Sequence, residues 1–193
     1  MPELIHETVV TTCAPDGRVH VAPMGARYVG DEVVLMPFRP STTLANIETT
    51  GVAVLNLVTD VRVFAGCITG RHDWATVAVP EIVGVRLACA LGHVSLRLVE
   101  CIDDAQRPKL RLARVAQAQH APFKGFNRAQ AAVIEGAILV SRLHLLPAEK
   151  IDAEMRYLQI AVDKTAGQAE LEAWRWLQEA VTQHAQARAE ALR

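Results

Sequence analysis

The sequence predicts an α+β protein: a small closed antiparallel β-barrel over residues 1–120, then a helical segment over residues 121–193. Three observations predict it. β-branched residues alternate with period two through the first half; Gly-Asp pairs punctuate those runs at hairpin spacing; and after Asn127 the apolar period changes to that of a helix. A chain of 193 residues is long enough for one well-buried core with an appended helical piece.

Each element follows from its residues. Ile5 to Thr12 and Arg18 to Met24 flank the turn signal Asp16-Gly17, which predicts a hairpin, and Gly30-Asp31 leads to a third strand from Glu32 to Met36. Pro37 and Pro40 stop the sheet, Ser41 starts a helix of about two turns, and Gly51 ends it. Val52 to Val58 is apolar enough to be a strand buried on both faces. From Asp60 to Val83 the pattern weakens and predicts short helices and loops. Val94 to Cys101 and Lys109 to Val115 form a second hairpin across Asp103-Asp104 to Pro108. A sheet of about six strands would expose two edges unless it closed, which favours the barrel. Three helices follow: Arg128 to Leu146, Ala148 to about Val162, and a third with Leu171, Trp174, Leu177 and Val181 at helical spacing.

Composition narrows the functional classes. Lys and Arg number 20 against 21 acidic residues, for a net charge of −1, and no basic cluster offers the density that nucleic-acid backbone binding needs. No apolar run has membrane-spanning length, and the first residues carry no secretory pattern, so the expectation is a cytoplasmic protein with neither nucleic acid nor membrane as partner. The mean hydropathy of +0.16 favours apolar surface covered by a second copy, a homodimer. Cys13, Cys67, Cys89 and Cys101 show no paired spacing and read as buried free thiols, and the seven histidines show no metal-ligand spacing.

Four stretches admit a chemical reading beside a structural one. Arg39-Pro40-Ser41-Thr42-Thr43 offers hydroxyls and a guanidinium at a helix N-terminus, as a phosphate needs, but Ser41 also fits an ordinary cap. Met24-Gly25-Ala26 suits either close approach of a planar ring or a β-bulge. Asn56 and Asp60, at the end of a buried strand, suit a ligand edge or a turn cap. Lys124, Asn127 and Arg128 surround another helix start, where Phe123 and Phe126 read as core and Asn127 as a cap.

The segments IHETVVTT, DGRVHVAPMGA, VVLMPFRPSTTLANIETTGVAVLNLVTD and FKGFNRAQAAVIEGAILVSRLHLL, in this order, resemble an uncharacterised family, domain of unknown function 447, over Leu4 to Leu146. The central part also resembles flavin reductase-like split barrels through Thr43, Asn46, Ile47 and Val54-Leu55-Asn56-Leu57. The resemblance implies an FMN-binding split β-barrel, antiparallel and Greek-key-like, with an added C-terminal helical segment and FMN near the interface of a homodimer. It implies that Arg39, Ser41, Thr42 and Thr43 hold the phosphate, and that the strand carrying His20, Ala22, Pro23, Met24 and Gly25 runs along the isoalloxazine. Asn56, Lys124, Asn127 and Arg128 are implied as further contacts. Val61-Arg62, after Asp60, departs from the family pattern. The implied function is an FMN-dependent oxidoreductase taking a small-molecule substrate or electron donor. The alternative is a non-catalytic FMN carrier or sensor, and no side chain is singled out as an acid or base.

Overall fold

The computed structural model describes residues 4–191, which form two compact units. The first comprises the chain up to Val58 together with His72–Phe123; the second comprises Thr59–Arg71 and the chain from Lys124. Residues 59–71, from the first half of the sequence, thus belong to the same unit as the chain from Lys124.

The first unit is a closed antiparallel barrel of six strands. Strands β1 (His6–Cys13) and β2 (Val19–Val29) pair in full register from His6↔Ala26 to Cys13↔Val19. Their turn is possible because Gly17 takes φ 87°, a left-handed conformation that glycine adopts without a Cβ penalty. Strand β3 (Glu32–Leu35) continues the meander, and α1 (Thr42–Thr50) then carries the chain back to β4 (Val52–Leu57), which pairs with β1. A two-stranded hairpin, β5 (Thr76–Val79) and β6 (Gly84–Leu87), precedes β7 (Gly92–Ile102) and β8 (Lys109–Gln119). The barrel order is β1-β2-β3-β8-β7-β4. Leu35, Leu55, Leu96 and Leu112 fill its interior, and Leu44 and Ile47 of α1 join them. The helix thus belongs to the core.

β5 lies in the region, Asp60 to Val83, where the sequence predicts only short helices and loops, and β6 directly follows it. The strands of this hairpin have four residues each, too few for a periodic signal. The hairpin explains why β4 is buried on both faces: Ala53 and Leu55 point into the barrel, while Val52 and Val54 pack under Val79 and Ile82. The same cover buries part of the polar face of β7, which alternation alone would leave in water. Ser95 is 0% and His93 4% exposed. Ser95 Oγ donates to Glu81 at 3.3 Å, and His93 Nδ1 lies 2.8 Å from His120 Nε2, with the rings stacked. Burial, then the neighbouring His120, hold His93 below the ordinary imidazole range, and burial does the same to His120.

Asn56 is the polar knot of this layer. It is fully buried, its Nδ2 lies within 3.2 Å of Val9 O, Thr11 Oγ1 and Val54 O, and its Oδ1 accepts the Leu87 N–H at 2.7 Å. With donors and acceptor occupied, Asn56 joins β1, β4 and β6 and has nothing left to offer a ligand. That corrects the expectation of a cofactor contact.

The second unit contains α2 (Arg62–Ile68), α3 (Arg128–Val140), α4 (Ala148–Thr165) and α5 (Gln168–Ala191). α3 is one and a half turns shorter than the periodicity suggests, because residues 141–146 tighten into turns before Pro147. Gly136 lets α3 approach α5 closely: a Cβ there would lie 2.8 Å from the Trp174 ring. Arg62 grips Asp60 with Nε and Nη2 at 2.9 and 2.7 Å, which raises its pKa and gives the Val61-Arg62 departure a structural role. Asp60 is thereby committed to Arg62. Two other expectations are corrected. Phe126 is fully exposed and Phe123 half-exposed, since neither belongs to a regular element, and Cys89 and Cys101 are exposed rather than buried.

Replacing Asn56 by Leu leaves buried partners unpaired and is expected to lower stability by about 3 kcal/mol in urea unfolding. A histidine whose folded pKa is depressed binds fewer protons in the native state, so its contribution is full above its ordinary pKa of 6.5 and is lost on acidification below it. Urea midpoints are therefore expected to fall between pH 7.5 and 5.5, and to fall less in a His93→Asn variant.

Candidate functional site

The chain leaves the barrel after β3 through Met36-Pro37-Phe38-Arg39-Pro40, in which the Arg39-Pro40 peptide is cis. Ser41 is extended (φ −153°, ψ 149°) and its Oγ accepts the Leu44 N–H at 3.3 Å, so the cap reading is realised. A capping hydroxyl keeps its own proton to donate, so capping and anion binding are compatible. Of the three hydroxyl residues Thr42 is exposed, Ser41 half-buried and Thr43 buried. The remaining first-turn N–H groups have no partner within the helix and point outward with the positive pole of its dipole.

Two arginines hold the loop that leads into this helix. Arg39 Nη2 lies 3.1 Å from Asp103 Oδ1 and 3.6 Å from Glu48 Oε1, and the Arg39 N–H donates to Gln106 O at 2.8 Å, tying the loop to the β7–β8 turn. From that turn Arg107 donates to Met36 O at 3.0 Å and lies over the Phe38 ring at 4.5 Å. Asp104 Oδ1 shapes the turn by accepting the N–H groups of Gln106 and Arg107, which holds its carboxyl below the usual range. Sequence reasoning missed Arg107. Its relevance depends on β8 pairing with β3, a contact between residues some 75 positions apart that leaves no local signal.

Strand β2 carries the second group of candidates. Its residues up to Gly25 pair with β1 alone, and β3 takes only the stretch from Ala26 to Val29, so the other edge from His20 to Gly25 faces no strand among the described residues. His20, Ala22, Pro23, Met24 and Gly25 are all half-buried. Thr8 Oγ1 donates to Met24 O at 2.7 Å and holds the strand from the β1 side. Burial, then the charge of His72, lower the His20 pKa, so its imidazole is neutral at pH 7. Gly25 does admit a close approach, but by Ile5: a Cβ there would lie 2.7 Å from Ile5 Cγ2.

The third group lies in the second unit. Asn127 caps α3, its Oδ1 accepting from Ala129 N at 2.8 Å and Gln130 N at 3.1 Å, while Nδ2 donates to Thr165 O at 3.0 Å. Its amide oxygen and one amide N–H are thereby used in structure. Lys124 and Arg128 on either side are exposed. Among the described residues no group of three or more His, Cys, Asp or Glu side chains could hold a metal ion, and no helix is long and apolar enough to cross a membrane.

Solved structures of other proteins share this architecture. An FMN-bound protein from Methanosarcina mazei superposes with a TM-score of 0.79 at 21% identity, covering 93% of this chain and 96% of its own. The 2-nitrobenzoate 2-nitroreductase of Pseudomonas fluorescens matches with a TM-score of 0.53 at 22% identity, over 62% of this chain and 66% of that one. A flavoredoxin from Methanosarcina acetivorans matches with a TM-score of 0.53 at 10% identity, over 60% and 69%. These likenesses show the split-barrel fold. No curated protein sequence matches the chain. Two family models do: the N-terminal domain of the protein of unknown function DUF447 over residues 6–121 and the DUF447 C-terminal part over residues 127–179, so the chain belongs to the DUF447 family.

Proposed function

We propose that this chain binds FMN, with the phosphate at the start of α1, and uses it to oxidise or reduce a small molecule. The observation that carries the reading is the donor set of that start and its loop: first-turn N–H groups and the Ser41 and Thr42 hydroxyls, with Arg39 and Arg107 on the loop that leads into the helix. It suits a phosphate monoester, which needs several charge-assisted donors converging on one dianion. Asp103 and Glu48 balance Arg39 meanwhile, and a phosphate would take their place. FMN, when bound, supplies two-electron transfer at its ring system.

The chain's own part is binding and orientation. From Ala22 to Gly25 the edge of β2 away from β1 faces no strand among the described residues, and its main-chain carbonyls and the N–H groups other than that of Pro23 suit the polar rim of a planar ring. Neutral His20 offers a hydrogen bond there rather than a charge. Thr43 contributes through its backbone, its side chain being buried. The split-barrel relatives support this reading, the full-length match being to an FMN-bound protein.

We infer a homodimer as the working species, because Phe38 and Tyr157 are large apolar side chains exposed on the single chain. Four cysteines without a disulfide fit a cytoplasmic setting.

Protein exchanged into flavin-free buffer is expected to bind added FMN with a yellow spectrum, and Arg39→Ala to bind it about 10- to 100-fold more weakly. Ser41→Asp separates the two roles of that residue. Aspartate caps a helix as well as serine does, so stability should hold while FMN affinity falls by about tenfold or more through repulsion of the phosphate. Unchanged affinity in both variants overturns the phosphate site. Oxidation of NADH or NADPH above the rate of free FMN marks an oxidoreductase; its absence with FMN bound marks a carrier or sensor.

A further inference from the structure

A cleft of about 750 Å³ opens in the barrel unit between the β1–β2 turn and the tip of the β5–β6 hairpin, beside the C-terminal end of α1. Its size falls in the range of roughly 300–1,000 Å³ that small-molecule sites occupy. Val52, Val79, Ile82 and Val85 make its walls and Val83 its exposed lip. One lining side chain is a cation, Arg97 on β7.

Arg97 continues the row of His93 and Ser95 on the outer face of β7. His93 is partnered by His120 and Ser95 by Glu81, whereas Arg97 makes no ion pair or side-chain hydrogen bond among the described residues. Glu81 also lines the cleft, with its carboxylate on the Ser95 hydroxyl and close to His93 and Arg86. Thr50, in the last turn of α1, brings the negative pole of that helix to the same cleft.

From this arrangement we propose that the cleft binds a small monocarboxylate with an apolar body, the carboxylate paired with Arg97 and the body against Val52, Val79 and Ile82. One guanidinium facing an apolar wall recognises one localised negative charge. The helix C-terminus and Glu81 disfavour a second, which excludes phosphate esters, and Arg97 itself repels cationic ligands. The proposal stands on the cleft alone and does not depend on flavin.

The test is a titration of the ¹⁵N-labelled full chain with octanoate, followed by amide shifts, with octanol as the uncharged control. Octanoate is expected to shift the amides of Val79, Ile82 to Val85 and Arg97, and octanol to bind about tenfold more weakly or not at all. Arg97→Gln, an exposed position that leaves the core intact, is expected to weaken octanoate about tenfold; Val83→Glu, which adds a carboxylate at the lip, should also weaken it. Equal affinity in Arg97→Gln, or for octanol, overturns the proposal. So does the absence of any octanoate shift, and if Val83→Glu then lowers the sedimentation coefficient, the cleft is instead a contact between copies of this chain.

Discussion

Closure of the barrel between β4 and β1 is the constraint on which the rest of the molecule depends. Only three residue pairs join those strands, Val9↔Asn56, Val10↔Leu55 and Thr11↔Val54. The Asn56 amide adds side-chain hydrogen bonds across the same seam and fastens the β6 backbone over it. To reach β1 from the end of β3, the chain has to return across the barrel, and α1 is the segment that does so. Its Leu44 and Ile47 are therefore core residues, and its position is set by packing rather than by intrinsic propensity. Barrel closure thus decides where the helix begins and, with it, where the positive pole points.

The surroundings of that pole show how charge is held ready. Arg39 does not float in solvent; two carboxylates and a backbone bond to Gln106 hold it against the turn that carries Arg107. Exposed ion pairs of this kind contribute little to stability, typically about 0–1 kcal/mol. They can be exchanged for a stronger anion at little cost, and meanwhile they keep the guanidinium from drifting. Past the last turn of the same helix lies the cleft walled by Val52, Val79 and Ile82, with Glu81 and the unpaired Arg97. The two ends of α1 therefore present different chemistry to ligands although one nine-residue element connects them.

The local parts of this architecture were legible because their signals are local. Asp16-Gly17 and Gly30-Asp31 mark turns that only residues tolerant of positive φ can make, and Gly17 and Gly30 adopt it. Ser41, Gly51 and Asn127 cap the helices that they were expected to cap. The β5–β6 hairpin was not legible: eight strand residues divided into two short runs carry too little periodicity, and its effect is to bury a polar row on β7 that alternation assigns to water. Asn56 was read as a ligand contact for the same reason. A polar residue at a strand end looks available until the element that covers it is known.

The sequence by itself determined the strand and helix types, the caps, the turn positions and the family to which the chain belongs, since each rests on residue chemistry within a few positions or on ordered motifs. Tertiary structure alone decided which of the candidate polar groups are free. Arg107 joins the helix start because β8 pairs with β3, Asn56 and Asn127 are consumed by hydrogen bonds to β6 and α4, and Arg97 is left unpartnered at a cleft made by two distant hairpins. A hydrogen-bonding group is available only when no other group has claimed it, and Leu87, which claims Asn56, and Thr165, which claims Asn127, lie 31 and 38 residues away in the chain.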